Sequence, residues 1–378
     1  MIKHMRKIFI LLLCLLMVFS CVSCGNRSSK TKNDKTNNDN NNNIHDNEPN
    51  NNYEERYRGV MSPDKIIDAD LRTLRFEWKA NLVRWQLIDR LKEFDPKDMT
   101  AYSDWLNRTL KDVDQAMEIC NKYGIKVIIA LMTLPGGRDD KHRTLIFYNQ
   151  TYNDKLINVW ETIASRYKGH PALLGYDLIN EPCQIIDPPL PGMDCISTQL
   201  KAVEAIRKVD PSARIYIELS AGDEPHCYRT FKPLNIVNVV YEVHMYRPHE
   251  FTHQQVSGNF LPVTAYPGMI NGVYYDKNKL KEILQPVRDF QVNYSVPIYV
   301  GEFSAVRWAS GAAQYLKDCI EIFEEYEWDW SYHVYRSWTG WNLEHENGTS
   351  NSPIVVSDVR ADRMDVVLAG LALNEDNP

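Results

Sequence analysis

Several marks of common function classes are missing from this chain. No Gly-rich loop follows a strand-like run, so a nucleotide cofactor has no visible cradle. No stripe of Lys and Arg interleaved with aromatics occurs, and 43 basic residues against 50 acidic ones give a net charge of -7, which argues against nucleic acid as a partner. No internal repeat is evident. The apolar run Ile8 to Phe19 is too short to span a bilayer comfortably, which excludes reading it as a membrane anchor of the fold.

What that run does offer is an export signal. Lys3, Arg6 and Lys7 precede it and small residues follow, the pattern of a secretory signal peptide. Its end, Val18-Phe19-Ser20-Cys21-Val22-Ser23-Cys24-Gly25, resembles a bacterial lipobox, with Cys24 the better acylation site and Cys21 the alternative. Plain secretion is the other reading. Residues 25–56 are rich in Asn, Asp, Lys and Ser and cannot bury enough apolar surface to offset their ordering entropy, so they are expected to be a disordered tether. The organisation expected is therefore a signal over residues 1–24, the tether, and one catalytic domain over 57–378.

With 378 residues and 44% apolar content, the chain can bury a large core in a single unit. Its 9 Trp and 21 Tyr suit a core and equally suit a cleft that stacks sugars. Five cysteines fall in the domain: Cys120, Cys183, Cys195, Cys227 and Cys319. Export permits disulfides, and Cys183 with Cys195 would close a short loop, while Cys120 and Cys319 sit on apolar helical faces as core residues.

Beyond Arg58 strand-like and helix-like segments alternate. The strands expected are Arg58–Met61, Asn81–Leu87, Lys126–Met132, Leu173–Ile179, Arg214–Leu219, Val237–Met245, Pro297–Val300 and Ser331–Ser337. The helices expected are Tyr102–Tyr123, Asp154–Tyr167, Thr198–Val209, Lys279–Val292, Ala312–Tyr326 and Val356–Leu373. The strand runs are too continuously apolar for one-face burial, which indicates a parallel sheet covered on both sides. Eight strands each followed by a helix favour a closed (β/α)8 barrel over a doubly wound sheet.

In such a barrel, chemistry belongs at the carboxyl ends of the strands. The fourth run ends in Asn180-Glu181-Pro182, a carboxylate sealed by a proline that cannot continue a central strand. The second offers Arg84-Trp85, the sixth Glu242-Val243-His244-Met245-Tyr246, the seventh Gly301-Glu302-Phe303 and the eighth Tyr335-Arg336-Ser337-Trp338. Glu181 and Glu302 would face each other across one cleft with Arg, His and Tyr between them. Glycoside hydrolysis needs such a pair: an acid for the leaving oxygen and a carboxylate for the anomeric carbon.

On these residues the stretch from about Arg58 to Leu373 resembles glycoside hydrolase family 5, within the clan of (β/α)8 retaining hydrolases. The resemblance implies that Glu181 is the acid/base, that Glu302 is the nucleophile, and that Asn180 holds the 2-hydroxyl of the sugar in the −1 subsite. It further implies that Arg84 and Tyr246 hold Glu302, that His244 lies beside Glu181, and that Trp338 is the floor on which the sugar stacks. Singly, each of these has a plainer reading as ion pair, core imidazole or packing. The expected substrate is β-1,4-linked glucan, with mannan or another β-glycan as the alternative. No cofactor or metal is implied, and the protein is expected to act as a monomer. One departure stands out: the family's histidine at the end of the third strand is absent from Val127-Ile128-Ile129-Ala130-Leu131-Met132-Thr133-Leu134, and His142 comes too far along to replace it.

Two other readings compete. His249-Glu250-Phe251-Thr252-His253 matches H-E-x-x-H, which on a helix binds zinc, yet Pro248 before it and Gln254-Gln255 after it give no amphipathic helix. It is read instead as part of the long loop after the sixth strand, whose Phe251, Phe260, Tyr266, Tyr274 and Tyr275 either wall the cleft or pack on one another. A non-catalytic glycan-binding lipoprotein on a decayed barrel would be expected to have lost one of the two Glu, and both are present.

Overall fold

The computed structural model describes residues 55–184, 187–256, 263–349 and 360–375, and the expectations for the signal, the lipobox and nearly all of the tether lie outside them. Eight parallel strands close a barrel: β1 Arg58–Met61, β2 Leu82–Leu87, β3 Lys126–Leu131, β4 Leu173–Asp177, β5 Ile215–Ile217, β6 Val239–Met245, β7 Ile298–Phe303 and β8 Asp329–Tyr332. β1 pairs with both β2 and β8, which closes the ring. Helices α1 Asp68–Phe76, α2 Met99–Tyr123, α3 Gln150–Tyr167, α4 Cys195–Val209, the short α5 His249–Thr252, α6 Lys277–Tyr294, α7 Ala312–Glu325 and α8 Asp362–Ala372 run between and after the strands.

The local chemistry explains the boundaries. The Asp98 carboxylate accepts the N–H groups of Thr100 and Ala101 to open α2, and Gly124 ends it in the left-handed region at φ 69. Asn149 and Asp194 open α3 and α4 in the same way. Two expectations need correction. β5 is followed by a 3-10 turn, Pro225–Arg229, instead of a helix, and Tyr228 of that turn packs on Phe290 of α6. β8 also begins and ends earlier than expected, at Asp329 and Tyr332, so the residue at its mouth is His333.

The barrel interior is layered. At its amino end Tyr57, Leu82, Ile128, Tyr216, Val240 and Tyr299 form a separate apolar cluster. Side chains two residues on point the same way, and the next inward positions carry Arg84 on β2, Glu218 just past β5 and Glu242 on β6. The interior thus changes from apolar to ionic within one step toward the carboxyl ends.

The long segment after β6 folds largely on itself and on α7. Phe251 and Tyr266 are buried against Tyr315, and Tyr266 donates to Asp318 at 2.6 Å. Tyr274 is exposed on the hairpin Gly268–Ile270/Val273–Tyr275, and Phe260 lies outside the described residues. Among the described residues no disulfide forms, so the Cys183–Cys195 bridge is not made. The Cys195 sulfur instead faces the Glu218 carbonyl at 3.8 Å. Cys120 and Cys319 are buried core residues, as expected.

Candidate active site

Arg84 is the fixed centre of the site. Its guanidinium is fully buried and donates Nη1 to Glu302 at 2.7 Å, Nε to Asp177 at 2.9 Å, and Nη2 to Glu218 at 2.9 Å and to Asn180 Oδ1 at 3.0 Å. Glu242 lies 3.2 Å from Nε. A planar fork with five donors suits this arrangement as an ammonium would not.

Glu302 is turned inward by an irregularity in β7. Val243 of β6 pairs with Val300, but the next residue, His244, pairs with Glu302, so Gly301 is an extra residue on β7. A side chain at Gly301 would put its Cβ 1.6 Å from Glu242 Oε1, which is why glycine stands there. Glu302 Oε2 accepts from Tyr246 at 2.9 Å and lies 3.1 Å from His333 Nδ1. Burial alone would push this carboxyl up, but the charges of His244 and His333, the His333 hydrogen bond and Arg84 hold it well below the usual carboxylate range. It is an ionised carboxylate surrounded by donors.

Glu181 follows β4 with φ 45, a left-handed conformation that a non-glycine residue keeps only when its surroundings hold it. Its N–H donates to Glu218 at 2.7 Å and its carbonyl accepts from Arg138 at 2.6 Å. The side chain, 37% exposed, reaches His244 Nδ1 at 3.2 Å, and an oxygen of Glu181 lies within 4.8 Å of one of Glu302.

His244 links the two halves of the site, with Nδ1 toward Glu181 and Nε2 3.4 Å from Glu242. Burial disfavours its charge, but Glu302 and Glu218, with hydrogen bonds to Glu181 and Glu242, raise it well above the ordinary imidazole value. Six buried or half-buried acids, Asp177, Glu181, Glu218, Asp223, Glu242 and Glu302, crowd around Arg84, His244 and His333, so some must be neutral. Burial pushes Asp177 up to about 7 despite Arg84, and raises Asp223 well above its usual range despite His244. The site can therefore present one ionised carboxylate and one solvent-facing carboxyl across a short gap, which is the equipment for acid-assisted displacement.

The donor set Glu181, His244 and Glu302, and likewise Glu218, Glu242 and His244, has the composition of a metal site. The Arg84 guanidinium already holds Glu302 and Glu218 and would repel a dication. In the H-E-x-x-H stretch, His249 and His253 face each other, Nδ1 to Nδ1 at 3.4 Å, but His249 Nε2 lies 3.0 Å from Glu224 and Glu250 is turned away to accept from Asn271 at 2.9 Å.

Six of the seven residues singled out in the sequence, Arg84, Asn180, Glu181, His244, Tyr246 and Glu302, meet here. Trp338 stands further out, 36% exposed, with its ring edge-on to Trp341 at 4.7 Å and to Trp308 at 6.4 Å. Trp341 in turn stacks on Tyr246 at 5.3 Å. Where the third-strand histidine would be expected, Met132 Sδ lies 4.0 Å from Arg84, while His142 sits in a surface turn held by Asp139. The residues the sequence reading left without a role are Asp177, Glu218, Glu242 and His333. For Asp177, Glu218 and Glu242 the signal is a charged side chain at an inward, period-two position of an otherwise apolar run; His333 carries no such mark.

Comparison with known proteins agrees with this geometry. The model of the family described as Cellulase (glycosyl hydrolase family 5) matches residues 36–347. The chain is 23% identical over 245 residues to Endoglucanase C of Acetivibrio thermocellus, covering 58% of this chain and 70% of that protein. It is 23% identical over 253 residues to Cellodextrinase A of Ruminococcus flavefaciens, covering 64% and 71%. Among solved structures, a glycoside hydrolase superimposes with a TM-score of 0.67 at 24% identity, covering 83% of this chain and 99% of the other.

Proposed function

The chain belongs to the cellulase family, glycosyl hydrolase family 5, and on that premise we propose that it hydrolyses β-1,4-linked glucan with retention at the anomeric carbon. The observation that supports the mechanism is that Glu181 and Glu302 close on one imidazole: His244 Nδ1 lies 3.2 Å from Glu181 and 4.0 Å from Glu302, and the nearest oxygens of the two acids lie within 4.8 Å of each other. A retaining pair has its carboxyl groups about 5–5.5 Å apart, whereas an inverting pair, with water between, needs about 6.5–9.5 Å. Glu302, ionised and oriented by Arg84 and Tyr246, attacks the anomeric carbon while Glu181 gives its proton to the departing oxygen. Glu181 then takes a proton from the water that resolves the glycosyl-enzyme. His244 beside Glu181 tracks this change of role, Asn180 holds the 2-hydroxyl, and Trp338 offers a ring face to the sugar. The enzyme works as a monomer without a cofactor.

The same reading carries the enzyme out of the cytoplasm as an envelope lipoprotein acylated at Cys24, or at Cys21, with the Asn-rich segment joining the lipid to the barrel. Its support is the basic start, the apolar run Ile8 to Phe19 and the lipobox-like end. Labelled palmitate incorporated by the wild type and lost in Cys24→Ser would agree; label kept in a Cys21→Ser, Cys24→Ser double variant would overturn it.

The mechanism is tested with a 2-deoxy-2-fluoro-cellobioside carrying a good leaving group. The expected result is one added glycosyl mass on the Glu302 peptide, absent in Glu302→Gln, and a β-configured first product from β-glucan. An α-configured product, or undiminished turnover by Glu302→Gln, would overturn it. Hydrolysis across purified β-glucans and mannans tests the substrate, with β-1,4-glucan expected to be cut fastest.

A further inference from the structure

We propose that His333 is a positioning residue for Glu302 whose contribution falls on the second half of the reaction, the release of sugar from the enzyme. The proposal rests on the retaining reading above. His333 sits just past β8, packed against Trp341 at 4.6 Å and 9% exposed. Its Nδ1 lies 2.7 Å from Tyr246 Oη and 3.1 Å from Glu302 Oε2. Tyr246 spends its own proton on Glu302 Oε2 at 2.9 Å. A bare Nδ1 at these distances would set its lone pair against those of a carboxylate and a phenol oxygen. Nδ1 therefore carries the hydrogen and shares it between the two. Glu302 thus receives Arg84 on Oε1 and both Tyr246 and His333 on Oε2.

Donors to a carboxylate stabilise its charge, and that charge changes in opposite directions in the two steps. In the first, a Glu302 oxygen forms a bond to the anomeric carbon, the bond to the leaving oxygen breaks, and Glu181 protonates that oxygen. Glu302 loses its charge, so donors hold the step back. In the second, the oxygen of water bonds to the anomeric carbon, Glu181 takes the water proton, and the electron pair of the ester bond returns to Glu302. Charge is restored, so donors assist. Loss of the His333 hydrogen slows release and leaves attack no slower.

The test uses the 2-fluoro-cellobiosyl enzyme and follows labelling and reactivation by intact mass in the wild type, His333→Ala and His333→Asn. Asn can place an amide N–H near the position of Nδ1. His333→Ala is expected to label at least as fast as the wild type and to reactivate about 10-fold more slowly, the scale of one hydrogen bond to a charged group. His333→Asn is expected to reactivate within about threefold of the wild type. With an activated aryl cellobioside, kcat and KM of His333→Ala should fall together as glycosyl-enzyme accumulates. Reactivation of His333→Ala at the wild-type rate, labelling slowed as much as reactivation, or His333→Asn as slow as His333→Ala would overturn the proposal. A wild type that takes no label would instead remove the retaining reading, and this proposal with it.

Discussion

Glu218 ties the backbone of Glu181 to Arg84: one of its oxygens accepts the Glu181 N–H at 2.7 Å and the other accepts Arg84 Nη2 at 2.9 Å. The segment carrying the proposed acid is therefore anchored to the guanidinium that holds the proposed nucleophile. Glu218→Gln would turn an amide N–H2 against one of those donors. The expected outcome is a kcat lowered by about 10-fold or more with KM little changed, since the loss is one of alignment rather than sugar contact. Steady-state kinetics on a soluble β-glucan oligomer would check it, and an unchanged kcat would show that Glu181 is aligned without Glu218.

Arg84 compensates a group of acids that have no other full partner. Asp177 Oδ1 and Glu242 Oε2 are buried with no hydrogen-bond partner among the described residues, so Asp177 is held through its other oxygen by the guanidinium, and Glu242 by the guanidinium and His244. Arg84→Met should cost about 3–5 kcal/mol, the scale for removing one side of a buried ion pair. Arg84→Lys should recover only part of this, because one ammonium cannot reach Asp177, Glu218, Asn180 and Glu302 together. Urea unfolding of the three proteins gives the order directly.

How much of this was legible in the sequence follows from what each signal depends on. The barrel could be read because apolar runs and helical periods alternate along the whole chain, and tertiary packing then moved boundaries by only a few residues. Glu181 and Glu302 could be read because each stands toward the carboxyl end of an apolar run, next to a proline or a glycine. Glu218 and Glu242 were harder to place. A charged residue inside a strand declares its face only once the register is known, and the irregularity at Gly301 shifts that register by one. His333 was hidden for a related reason. Aromatics continue from Trp330 through Tyr335, so nothing in the pattern marks Tyr332 as the last residue of β8.

Gly301 supplies a sharper test of that irregularity. Its missing Cβ is space occupied by the Glu242 carboxylate, so Gly301→Ala must displace Glu242 from Arg84 and His244. The expected result is a folded but less stable protein, by about 1–3 kcal/mol, with most activity lost. A thermal unfolding midpoint and a turnover rate both near the wild type would contradict this packing.

Chelation separates the barrel chemistry from the H-E-x-x-H alternative. His249 is paired with Glu224 and Glu250 with Asn271, so removal of metal should leave glycan turnover unchanged. Dialysis against EDTA followed by assay with and without added zinc is the check. Activity lost on chelation and restored by zinc would return the metal reading to the front.

Stability should fall as pH rises from 5 to 8, because the folded interior holds protons that the unfolded chain has released. The ordinary Asp value is near 3.9, and Asp177 is pushed up to about 7 by burial, so its contribution is whole below about pH 4 and is lost as pH rises through about 7. Asp223, also raised by burial, acts in the same direction to higher pH. His244, held charged above its ordinary value of about 6.5, contributes fully below that pH and is lost above it. His253 works the other way: burial lowers it to about 3, so it favours folding above about 6.5 and loses that contribution as pH falls toward 3. Glu224, lowered to about 2 by His249 and Arg247 despite burial, and Glu302, well below the usual range, matter only when pH drops below the ordinary Glu value of about 4.3. Between pH 5 and 6.5 the lowered histidines His253 and His226 oppose the acids that burial raises, Asp177, Glu218, Asp223 and Asp329, and above 6.5 that opposition is gone. The urea midpoint should therefore decline gently to pH 6.5 and more steeply to pH 8. Asp177→Asn should flatten the part of the curve between about pH 4 and 7, because an amide carries no proton to lose there. A midpoint that rises between pH 6.5 and 8 would mean that the acids around Arg84 are ionised in the folded protein.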